Sequence, residues 1–150
     1  MLIFIRVTEI MMKELTIEAK TDNLDSVIDF INAQLEELEC SMKIRMQIDI
    51  AVEELFVNIA SYAYQDDDRP GTATVIFDTE KDENVTAMIT FIDCGIPFNP
   101  LEREDPDTSL SADKRPIGGL GIFISKKNMD SMRYEYKEGK NILTIYKQLF

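Results

Sequence analysis

The stretch Ile48–Tyr64, I-D-I-A-V-E-E-L-F-V-N-I-A-S-Y-A-Y, constrains this chain more than any other. Ile48, Ala51, Leu55, Ile59 and Tyr62 recur at helical spacing and form one apolar stripe. Glu54 and Asn58 stand four residues apart and so share a face. Asp49 and Glu53 make a second polar row, about 100° round the axis. A helix apolar on most sides belongs in an interior, where an unpaired carboxylate costs several kcal/mol, about the whole stability of a small domain. Glu54 and Asn58 therefore line a wet cavity, or they sit on a surface edge in water. The helix alone leaves both open.

The remaining segments place that helix. Glu14–Ala19 alternates polar and apolar as a half-buried strand does. Thr21, Asp22 and Asn23 offer N-cap chemistry, and Leu24, Val27, Ile28, Ile31, Leu35 and Leu38 then predict an amphipathic helix over 23–39. Cys40-Ser41 breaks the pattern, so the organising helix covers about 42–64. A polar turn at 66–71 leads to strands over 72–77 and 85–93, joined by a turn at 80–84. On the second strand Val85, Ala87, Ile89 and Phe91 share one face, and Asp93 falls on that same face. Cys94-Gly95-Ile96-Pro97 follows as a sharp turn, with Gly95 free to take a positive φ. Residues 99–117 lack periodicity, and a loop of this length is typically a lid or binding element. Gly118-Gly119-Leu120-Gly121 opens a helix over 122–129, and a hairpin of 133–136 and 142–148 turns around 138–141. This order predicts helices on one face of a mixed sheet in one domain. Residues 1–11 read as an N-terminal extension or an edge strand.

Composition removes whole classes of function. The chain has no histidine, which excludes Ser-His-Asp and Cys-His catalysis, imidazole–zinc sites and an internal phosphohistidine. A net charge of −12 argues against binding a phosphate backbone. Cys40 and Cys94 lack metal spacing and read as reduced thiols of a cytoplasmic protein. The opening apolar run of five residues is too short to span a membrane.

Three features carry chemistry. A glycine cluster opening a helix leaves free N–H groups at the positive end of the helix dipole, which suits phosphate. Asp93 before Gly95 is a carboxylate at an inward strand position, or a simple strand terminator. Glu54 and Asn58 are the pair described above. Singly, each has a purely structural explanation.

Together and in this order, Glu-x-x-x-Asn, Asp-x-Gly, a long lid and Gly-x-Gly resemble the GHKL ATPases. That nucleotide-binding fold is shared by histidine kinases, type II topoisomerases, mismatch-repair ATPases and the heat-shock chaperone. The resemblance covers about residues 12–149. The stretches D-C-G-I-P-F-N-P and I-G-G-L-G-I-F-I-S-K-K-N-M-D are similar to those of bacterial anti-sigma-factor serine/threonine kinases. It implies an α+β two-layer sandwich, the Bergerat ATP-binding fold, with a mixed, mostly antiparallel sheet and helices on one face. It implies ATP and Mg²⁺ as ligands, with Asn58 holding the metal and Glu54 acting as general base. Asp93 would accept a hydrogen bond from the adenine amino group, with Gly95 beneath the base and Phe98 beside it. Lys114, Arg115, Gly118, Gly119, Leu120 and Gly121 would surround the phosphates. The implied partners are a sigma factor, a STAS-type anti-sigma antagonist bearing the acceptor serine, and a second copy of the chain.

Two positions depart from that pattern. Pro97 stands where many members have a second glycine. The lid arginine that touches the terminal phosphate is displaced here: Ile117 lies two before Gly119, and the nearest basic residues are Lys114 and Arg115. Two other functions thus stay open, a nucleotide-gated binding module and a detached histidine-kinase catalytic domain acting in trans.

Overall fold

The computed structural model describes residues 12–65, 71–102 and 120–150. Its strands are β1 (Lys13–Glu18), β2 (Thr72–Lys81), β3 (Val85–Asp93), β4 (Ser131–Lys137) and β5 (Lys140–Gln148). Its helices are α1 (Leu24–Glu37), α2 (Met42–Tyr62) and α3 (Leu120–Asn128). The sheet order is β1-β2-β3-β5-β4 and each neighbouring pair is antiparallel, so the expected mixed sheet is corrected to a wholly antiparallel one among the described residues. β2–β3 and β4–β5 are hairpins, which imposes that direction, whereas β1 reaches β2 through α1 and α2. Residues 1–11, the lid beyond Glu102, and Lys114, Arg115, Gly118 and Gly119 lie outside the described residues.

Alternation along the strands builds the core. Ala73, Val75 and Phe77 of β2, Ala87, Ile89 and Phe91 of β3, and Leu143 and Ile145 of β5 are buried on one face. Against them lie Val27, Ile31 and Leu35 of α1 and Ile48, Ala51, Val52, Leu55 and Phe56 of α2. Within α2 the expected stripe holds through Leu55. It then fails at Tyr62, which is 57% exposed, because the helix there leaves the core and borders a cavity.

Local chemistry sets the element ends. Ser41 Oγ accepts the amide of Ile44 at 3.3 Å and caps α2. The cap expected at Asn23 is not formed: its side-chain amide turns back to donate to the Glu18 carbonyl at 2.9 Å. The β4–β5 turn is tighter than expected, with Glu138 and Gly139 both at positive φ. Tyr64 joins three segments beyond the end of α2, its hydroxyl donating to the Thr72 carbonyl at 2.6 Å and accepting from the Cys94 amide at 2.8 Å. No described helix is long and apolar enough to cross a membrane.

Candidate functional site

At one end of the sheet, α2, α3 and the segment after β3 enclose a cavity of about 560 Å³, a size typical of small-molecule sites. Glu54, Asn58 and Tyr62 of α2 form one side. Phe91, Asp93 and Leu143 contribute the sheet face. Ile96 and Phe98, both more than two-fifths exposed, stand at its edge. Of the two positions left open for Glu54 and Asn58, the cavity is the one observed. Both are half-buried, and neither side chain hydrogen-bonds to another described residue.

Asp93 is only 6% exposed. Its Oδ1 accepts from the Gly95 amide and from Asn141 Nδ2, both at 2.9 Å. Its Oδ2 has no donor among the described residues. One carboxylate oxygen thus takes two protein donors, and the other has the capacity to accept an N–H. A carboxylate on an inward strand face, the sequence anomaly, is explained by this bonding.

The sequence reading missed Asn141, which it placed in the hairpin turn. Asn141 instead starts the inward face of β5, directly opposite Asp93 in the ladder, and is 6% exposed. Its Nδ2 also donates to the Ile96 carbonyl at 2.9 Å, and its Oδ1 accepts from the Phe98 amide at 3.1 Å and the Tyr134 hydroxyl at 2.5 Å. Desolvation pushes the Tyr134 phenol above its ordinary range, so it stays a protonated donor. Asn141 therefore fixes both Asp93 and the turn that follows it. The cue was available: Asn141, Leu143 and Ile145 share one strand face, and a lone amide on an apolar face needs partners.

Two glycines matter through close approach. Gly95 does not take the positive φ expected of it. A Cβ there would strike the Ala63 carbonyl, to which the Ile96 amide donates at 3.0 Å, so the turn is docked on the end of α2. A Cβ at Gly121 would strike the Glu54 carboxylate. The start of α3 therefore lies against Glu54. Gly121 and Ile122 line the cavity, whereas Leu120 does not and is 43% exposed.

The donor set decides which metal would fit. Among the described residues no cluster of three metal-ligating side chains exists, and no Lys or Arg lines the cavity. The lining carries two carboxylates, Glu54 and Asp93, so a polyanion entering here needs a cation with it. Asn58 offers one hard amide oxygen, suited to Mg²⁺ whose other ligands are phosphate oxygens and water. The residues present fit a metal brought with a nucleotide and do not fit a protein-only metal site.

The model for the histidine kinase-like ATPase domain matches residues 17–147. The serine/threonine-protein kinase BtrW of Bordetella bronchiseptica is 25% identical over 105 residues, 70% of this chain and 71% of that protein. The serine-protein kinase RsbW of Bacillus cereus is 28% identical over 96 residues, 63% of this chain and 58% of that protein. Among solved structures, the RsbU and RsbW domains of a Mycobacterium tuberculosis protein align with a TM-score of 0.59 and 19% identity, over 91% of this chain and 32% of that one. This last likeness concerns the fold.

Proposed function

The chain belongs to the histidine kinase-like ATPase domain family, and from that premise we propose that it is an ATP-dependent protein serine/threonine kinase of the anti-sigma-factor type. It transfers the terminal phosphate of ATP to a serine of a STAS-type antagonist protein and so controls a sigma factor. The observation that carries this reading is the single cavity wall on which Glu54 and Asn58 stand one turn apart, with Gly121 against the Glu54 carboxylate. The names of the BtrW and RsbW relatives support the acceptor chemistry.

In this reading each residue has one role. Asp93 Oδ2 accepts from the adenine amino group, held in orientation by Asn141 and Gly95. Phe98 and Ile96 cover the base at the cavity edge. Asn58 holds Mg²⁺, which when bound neutralises phosphate charge and orients the terminal phosphate. The amides at the start of α3 receive phosphate oxygens, with Gly118, Gly119, Lys114 and Arg115 assigned to the same anion from sequence. Glu54 takes the proton from the attacking serine hydroxyl. Gly121 keeps α3 close enough for phosphate and carboxylate to meet.

Incubation with labelled ATP, Mg²⁺ and the cognate antagonist should transfer label to a serine, as an acid-stable product. Glu54→Gln should abolish transfer and spare MgADP binding. Transfer that survives this substitution overturns the role of Glu54. An acid-labile product identifies a detached histidine-kinase domain instead. The displaced lid arginine favours a second reading, a nucleotide-gated binding switch. A single-turnover assay in which bound ATP reaches no acceptor selects it.

A further inference from the structure

The helices account for one face of the sheet, where α1, α2 and α3 all join the core. On the other face Ile76, Met88, Ile92, Ile142 and Tyr146 are half-buried, and none of them belongs to the core or packs against it. Strand pairing makes them contiguous: Ile92 stands opposite Ile142 and Met88 opposite Tyr146, with Ile76 opposite Thr90. The threonines among them bond to one another, Thr90 to Thr144 at 3.0 Å and Thr16 to Thr74 at 2.9 Å between hydroxyl oxygens. Such a face can lose its water without leaving those hydroxyls unbonded.

The charges on its flanks decide what fits there. Glu14 of β1 and Arg133 of β4, both exposed, end one cross-strand row that runs Glu14, Ile76, Thr90, Thr144, Arg133. Four successive antiparallel pairings make β1 and β4 run the same way, so Glu18 and Lys137, each four residues further on, again lie level. The outer strands of a five-stranded sheet are about 19 Å apart, so these acids and bases do not meet within one chain. A two-fold axis along β3, the middle strand, lays β1 of one copy over β4 of the other. Each Glu14 then faces an Arg133 and each Glu18 a Lys137, with Thr90 and Ile92 on the axis. An axis across the strands would instead set Glu14 against Glu18 and Arg133 against Lys137. Glu18 already holds Lys20 at 2.9 Å, which makes Glu14 with Arg133 the pair to test.

We infer that this sheet face joins two copies of the chain about an axis along β3. Five strands about seven residues deep present about 500 Å² per copy, so a pair covers about 1,000 Å², the lower bound of a specific interface. A net charge of −12 opposes the approach of two copies, yet it is screened within about 8 Å at physiological salt and the interface itself pairs opposite signs. Stacked sheets of this kind lie about 10 Å apart, within reach of long edge side chains. The inference does not rest on the kinase reading, because the cavity lies on the core face of the sheet and stays open in the pair.

Sedimentation equilibrium of the full chain tests this, with far-UV circular dichroism to verify the fold and MgADP calorimetry alongside. Wild type should dimerise. Glu14→Arg and Arg133→Glu should each weaken the dimer about tenfold or more, since each sets two like-charged pairs in the interface. The double variant should recover most of the wild-type affinity. The two positions are too far apart in one chain to compensate each other, so recovery identifies a contact between copies. Ile92→Lys should give a folded monomer; should it not fold, the edge reversals still decide. MgADP affinity should be the same throughout, which separates failure of the pair from failure of the site. A monomeric wild type overturns the proposal and leaves the face to a different protein or to another segment of this chain. A dimer indifferent to the single reversals overturns it too, as does a double variant no tighter than the singles.

Discussion

Replacing Asn141 by alanine tests the centre of the site, because one side chain there serves four partners. Asn141 donates to Asp93 Oδ1 and the Ile96 carbonyl and accepts from the Phe98 amide and the Tyr134 hydroxyl. The contact to the Gly95 carbonyl, at 3.5 Å, is too long to weigh. A neutral hydrogen bond contributes about 1 kcal/mol net, and one to a carboxylate about 2. Loss of the set costs about 5 kcal/mol if every group stays dry. The cavity is open to water, which recovers Tyr134 and part of the turn, so a loss of about 3 kcal/mol is expected. For a domain of this size that lowers Tm by about 6–12 °C.

The variant should also bind MgADP at least about tenfold more weakly, since Asp93 is no longer held with Oδ2 free for the base. Differential scanning calorimetry and titration calorimetry read the two effects separately. Asn141→Asp should be worse than alanine at pH 7, with two carboxylates facing at about hydrogen-bond distance, and should recover as the pH falls towards about 4. An alanine variant with Tm within about 2 °C of wild type and unchanged MgADP affinity refutes the reasoning. Asn141 would then be a spectator.

Gly121→Ala places a Cβ against the Glu54 carboxylate; phosphoryl transfer should fall at least about tenfold while far-UV circular dichroism stays native. Gly95→Ala meets the Ala63 carbonyl, a backbone atom that cannot swing away, and should destabilise by about 1–3 kcal/mol in urea unfolding. Burial pushes the Asp49 carboxyl above its ordinary 3.8, with the Asn32 amide and Arg45 opposing. An acid held more tightly protonated in the folded state stabilises below its unfolded pKa and loses that contribution as pH rises through its folded pKa. Asp49→Asn should therefore raise Tm at pH 7 and not at about pH 3, by less than about 1 kcal/mol for this half-exposed group.

Strand alternation and helical periodicity in one chain read out the eight elements in order, with ends displaced by a few residues. The largest displacement is in β2, which runs to Lys81 where the reading stopped it at 77. Glu80 and Lys81 look like a turn because they are charged, yet both are exposed and pair with Thr86 and Val85 in the ladder. Edge-on pairing past the core is invisible to a hydrophobic pattern. Asn23 shows the converse, a capping residue whose amide found a better acceptor in the preceding strand.

What the sequence determined by itself is local: Glu54 and Asn58 share a face because four residues make about one turn, and Asp93 points inward because strand faces alternate. Which of several polar residues meet was decided by tertiary structure alone. Asn141 lies 48 positions from Asp93 and is joined to it only by the β3–β5 register, and Gly121 reaches Glu54 only because α3 packs on α2. Periodicity specifies a direction for each side chain. Contact between directions depends on how elements close over a common core, a long-range property that no short window of sequence contains.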